Sequence, residues 1–174
     1  MMALFLLLAA PAMAQEPAAL AMAGRLPGEV AGWLRRDVTD FESRPGGRGL
    51  GASVEYRPAA GPGVANVYFY DRGQAASSMD VAEELRRAQE EIQALAPMRQ
   101  YAVTGQRLAG ELRGGLRCVG LDQVFPQGAR AESYACVGAV RGWYVKLRLT
   151  VPQGQADARA MLEALARAAV GVVG

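Results

Sequence analysis

Histidine is absent from this chain of 174 residues. Without an imidazole, the usual Ser-His-Asp and Cys-His catalytic arrangements cannot be assembled, and neither can His-ligated zinc. Lysine is almost as scarce, with Lys146 alone beside 18 arginines. A Ser-Lys nucleophile would have to use it, yet its surroundings, WYVKLRLTV, are strand-like and carry no S-x-x-K order. Two cysteines are too few for a four-cysteine metal site, and they lack Cys-x-x-Cys redox spacing. No cofactor or metal is expected. The net charge is only +2, from 19 basic and 17 acidic residues mixed along the chain. It offers no basic stripe to neutralise several phosphates, so nucleic acid is not an expected partner.

Long apolar runs are also missing once the first 14 residues are set aside, 13 of which are apolar. In MMALFLLLAAPAMA a short apolar stretch is followed by Pro11 and by small residues at Ala12 and Ala14. This is the pattern of a secretory signal peptide over residues 1–14, cleaved after Ala14. The apolar run ends at Glu16, well short of the ~20 residues that cross a bilayer. A periplasmic or secreted protein with no stable membrane insertion after signal removal is expected. The alternative is a membrane-tethered accessory protein that keeps the amino-terminal segment. Residues 15–25 read as a flexible tail and residues 26–174 as one domain, a length at which ~68–70% of the extended chain's surface is buried on folding.

What the domain contains is mostly strand-like. Segments 33–41, 52–57 and 64–71 precede an amphipathic helix that ends before Pro97. Its apolar positions are Val81, Leu85, Ala88, Ile92 and Leu95, with Glu83, Glu84, Arg86, Arg87, Glu90 and Glu91 assigned to a solvated face and a Ser77-x-x-Asp80 capping box at its start. Strands follow at 101–108, 111–125, 132–140 and 143–151, with a turn or bulge at Gly114-Gly115. A closing helix places Ala158, Leu162, Leu165 and Ala169 on one face. The expected fold is α+β, a single mostly antiparallel sheet of about six or seven strands with two amphipathic helices packed on it. The glycine-rich stretch RPGGRGLG (44–51) runs into the alternating ASVEYR and not into a helix, which argues against a phosphate cradle.

Cys118 and Cys136 straddle the turn Pro126-Gln127-Gly128, and their mean position is residue 127. In an antiparallel hairpin turning there, the two face each other, so a structural disulfide is expected in the oxidising compartment that an export signal implies.

One strand face offers a contact surface: Tyr144, Lys146 and Arg148 alternate outward from WYVKLRLTV, an aromatic and two cations able to hold an anion. Carboxylates such as the Glu83-Glu84 and Glu90-Glu91 pairs and Asp122 leave a hydrolase using an Asp/Glu pair open, although no pair is singled out and no catalytic residue is assigned. The runs LPGEVAGW (26–33), GLGASVEYR (49–57) and VYFYDRG (67–73) before an amphipathic helix resemble a broad group of uncharacterised exported bacterial proteins. Their order of elements is similar to the PsbP-like α/β/α sandwich. That resemblance implies a sheet with helices packed on it, serving binding or assembly and carrying no catalytic residues. The expected function is therefore an exported, non-enzymatic domain that binds a partner protein, an envelope component or a small ligand.

Overall fold

A computed structural model describes residues 18–174, so the expected export signal and its cleavage after Ala14 lie outside the described residues. Eight strands form one antiparallel sheet: β1 (Glu29–Val30), β2 (Trp33–Asp40), β3 (Ala52–Pro58), β4 (Val64–Tyr70), β5 (Ala102–Leu112), β6 (Leu116–Val124), β7 (Arg130–Val140) and β8 (Trp143–Pro152). Four helices accompany them among the described residues: α1 (Ala18–Arg25), α2 (Val81–Ala94), α3 (Ala96–Arg99) and α4 (Ala158–Val173). The strand order is β1-β2-β3-β4-β8-β7-β6-β5. Two antiparallel meanders thus join where β4 meets β8, and α2 and α3 carry the chain from one meander to the far edge of the other.

The α+β class and the antiparallel sheet agree with expectation, and the counts are corrected upward. β1 is only two residues long, too short to show a period. α3 is a single turn after Leu95. α1 occupies the segment expected to be a loose tail, with Ala19, Met22 and Ala23 buried against β3, β4 and α4. Arg25 donates to the Val172 carbonyl at the end of α4, and Arg35 donates to the carbonyls of Gly24 and Leu26. The domain therefore includes residues 18–25.

Alternation along each strand divides the side chains between two cores. On one face Trp33, Tyr56, Val67, Phe69, Leu147 and Leu149 pack under α1 and α4, with Leu162 and Leu165 of α4 descending onto them. On the other face Tyr70, Tyr101, Val119, Leu121, Val137 and Tyr144 pack under Ala88 and Ile92 of α2. A bulge between Arg35 and Asp37 explains the imperfect alternation of β2. Asp80, and not Ser77, caps α2: its carboxylate accepts from the amides of Ala82 and Glu83 at 2.9 and 3.1 Å, whereas Ser77 lies in a preceding tight turn.

Cys118 and Cys136 are cross-strand partners on β6 and β7 and are joined by a disulfide within the α4-side core. The 44–51 stretch is a loop leading into β3. Gly51 is needed there because its φ is +66° and a Cβ would lie 1.7 Å from the Phe69 carbonyl oxygen. The close approach brings Phe41 and Leu50 beside the end of β4.

Candidate functional site

The two sheet faces are covered unequally. α2 packs mainly over β6 and β7 and reaches β4 and β8 at their Tyr70 and Tyr144 end, so the rest of that face of β3, β4 and β8 is left as a trough beside α2 and α3. Register places its floor in rows. Ser53, Tyr68 and Lys146 lie abreast, Glu55, Asn66 and Arg148 lie beside them, and Val64 and Thr150 follow.

At the end nearest Phe41 and Leu50 the polar groups form a closed network. Glu84, only 1% exposed, accepts from the Tyr70 hydroxyl at 2.8 Å and from Arg72 at 2.6 and 3.2 Å. Lys146, 8% exposed, donates to Glu91 at 2.8 Å and lies 4.7 Å from the ring centre of Tyr68 and 5.4 Å from that of Tyr70. Arg72 reaches Glu91 at 4.0 Å. Burial is the largest single influence on the Glu84 carboxyl and would raise its pKa. The hydrogen bonds from Arg72 and Tyr70, with the charges of Arg72 and Lys146, together outweigh it and hold the carboxyl below its usual value. Burial and the adjacent Glu84 charge push the Tyr70 hydroxyl well above its usual range, so it stays protonated as a donor. Arg87 lies 3.8 Å from Glu84 as well and pairs with Glu83 at 2.9 Å, so Arg72, Lys146 and Arg87 are matched by Glu84, Glu91 and Glu83 and the floor is neutral.

Further along the trough the balance changes. A cavity of about 180 Å³ is lined by Glu55, Arg57, Asn66, Tyr68, Arg99 and Arg148 among others. Glu55 is taken up by Arg57 at 2.8 Å. Arg148 of β8 and Arg99 of α3 are paired with no carboxylate among the described residues. Both charges act on the Tyr68 hydroxyl: burial raises it above its usual pKa, Arg148 and Arg99 pull it back, and the Glu91 and Glu55 carboxylates push it up again. Two uncompensated guanidiniums facing one polar recess suit an anion bound by charge-assisted hydrogen bonds.

The row Tyr144, Lys146 and Arg148 does share one sheet face, but its members have three different roles. Tyr144 is buried, stacks on Tyr70 with ring centres 5.4 Å apart and accepts from the Asp80 amide at 2.8 Å, so it anchors the start of α2. Lys146 is committed to Glu91. Arg148 alone of the three faces the recess uncommitted. The sequence reading missed Glu84, Arg72, Tyr68 and Arg99. For Tyr68 and Tyr70 the signal was present, since both alternate against the core residues Val67 and Phe69. For Arg99, on a four-residue helix, no periodic pattern existed.

On the opposite sheet face, register brings one carboxylate pair together: Asp122 and Glu132 are cross-strand partners. The Arg107 guanidinium joins them, donating to Asp122 and lying 3.2 Å from Glu132. The Tyr134 hydroxyl donates to Glu132 and accepts from Arg107 at 3.0 Å. Both carboxylates are engaged as acceptors, and the cluster ties β5, β6 and β7 together.

Comparison with known proteins supplies no relative from which to transfer a function: no family model matches the chain, and no curated protein matches it.

Proposed function

We propose that this protein is an exported, non-enzymatic binding domain whose trough over β4 and β8 receives a ligand bearing an anionic group. The observation that carries the reading is the pair Arg148 and Arg99, which face one recess without a carboxylate partner among the described residues while Arg57, Arg72 and Lys146 are each paired. A fixed floor of neutralised charges beside unneutralised ones gives a preorganised anion site. Export is supported by the disulfide, because such bonds persist in oxidising compartments, and by the apolar amino-terminal segment with its small-residue cleavage pattern. No helix among the described residues is long and apolar enough to cross a membrane. The likeness of element order to the PsbP-like sandwich is kept as part of this proposal, with helices on both faces of an antiparallel sheet in its favour.

Titration of the protein with inorganic phosphate, followed by amide and arginine side-chain NMR shifts, tests the reading. Saturable shifts are expected around Arg148, Arg99 and Tyr68, weakened at least about tenfold in Arg148→Ser, the loss of one charge-assisted contact. Shifts of equal affinity in wild type and Arg148→Ser, or no saturable shifts at all, would remove it.

A further inference from the structure

The polar recess does not end at its own rim. A second, larger cavity of about 370 Å³ continues from it at the far end of β4 and β8, and Arg57, Val64 and Thr150 line both. Its walls are mostly of the opposite kind: Pro62, Val64, Phe125, Ala131 and Pro152 supply an apolar lining, with Arg57 and the exposed Arg130 also on its wall. Its volume lies in the range of small-molecule sites. Along β8, Arg148 and Pro152 are four residues apart, roughly 13 Å at about 3.3 Å per residue. The trough therefore presents a charged end and an apolar end about one small molecule apart, on a face of the sheet that α2 leaves open.

From this continuity we infer that the ligand is a free amphipathic anion: its carboxylate or phosphate is held by Arg148 and Arg99, and its alkyl chain or ring lies in the cavity beside Phe125 and Pro152. The inference rests on the anion-binding reading above and extends it to the substrate class. An anion without an apolar body leaves the Phe125 end wetted, and an apolar molecule without a charge leaves two guanidiniums uncompensated. A molecule with both parts satisfies the two ends together.

Straight-chain carboxylates provide the test. Calorimetric titration with acetate, butanoate and octanoate is expected to give affinity rising with chain length by up to about fourfold per buried methylene, so that octanoate binds at least about tenfold tighter than acetate. Ala129→Phe places bulk into the apolar cavity from an exposed position in the hairpin turn. This variant should remove the chain-length dependence and leave acetate binding unchanged, whereas Arg148→Ser should weaken all three ligands. Equal affinity for acetate and octanoate, both dependent on Arg148, overturns this inference and spares the anion-binding reading. A chain-length gain indifferent to Ala129→Phe overturns it as well, since the chain then lies elsewhere. Carboxylate binding indifferent to Arg148→Ser overturns both. Sedimentation with phosphatidylglycerol vesicles in place of octanoate binding also overturns it, because the trough would then read a bilayer surface and not a free molecule.

Discussion

Glu84 is the residue on which the neutral end of the trough depends. Its carboxylate satisfies the buried Tyr70 hydroxyl and the half-buried Arg72 guanidinium at once. Glu84→Gln keeps the volume and removes the charge, and because Arg72 retains some solvent the expected loss is about 2 kcal/mol at pH 7, below that for breaking a fully buried pair. The pH dependence follows from the direction of the shift. A carboxyl held below its usual value contributes stability that is complete above the unfolded-state pKa of about 4.3 and is lost as pH falls through the lower folded-state value. Urea unfolding of wild type and Glu84→Gln should therefore show a gap at pH 7 that narrows towards pH 3. A gap of constant size across that range would contradict this role for Glu84.

At the scale of elements, the strands and the two long helices could be read from their periods, because each buries a face large enough to impose one. On β8, Val145, Leu147, Leu149 and Val151 are all buried on one side as its alternation indicates, while Tyr144 and Lys146 on the other side are buried as well, by α2 and its carboxylates. The disulfide partners were legible for a related reason, since a short turn fixes which residues of a hairpin oppose each other. Glu84 was misassigned because its charge outweighed its position. It lies three residues after Val81 and four before Ala88, inside the buried arc, and its acceptor role needs Tyr70 and Arg72 from β4 and the loop after it, which no local pattern reveals. α1 was misassigned for the opposite reason: AALAMAGR has helix-forming alanines but no polar stripe to mark a face, and its partners lie on β3, β4 and α4. A pair of substitutions separates a packed helix from a loose tail. Ala23→Asp buries a carboxylate where the alanine is fully enclosed and should cost about 3 kcal/mol or more, while Ala18→Asp at the exposed first turn should be neutral in chemical denaturation. Equal stability of the two variants would return residues 18–25 to the status of a tail.

For the whole molecule, the sheet separates the larger core from the proposed binding trough. The face under α1 and α4 holds the larger core and the Cys118–Cys136 disulfide. The reverse face carries α2 and the trough with its uncompensated arginines. The disulfide joins β6 to β7 across a closed segment of 18 residues' separation, and restricting the unfolded chain in this way contributes about 3 kcal/mol on the chain-entropy account. Arg148 and Arg99 are positioned by β8 and α3, neither of which the disulfide links, and the Ala135–Arg148 pairing keeps β7 and β8 in register without it. Replacing both cysteines with alanine should accordingly lower unfolding stability by about 3 kcal/mol and leave the affinity for inorganic phosphate unchanged well below the melting temperature. Titration and denaturation of the same double variant check both parts. Phosphate affinity that falls together with stability while the variant is still folded would show that the two faces are coupled through the sheet, and the bond would then belong to the binding site as well as to the core.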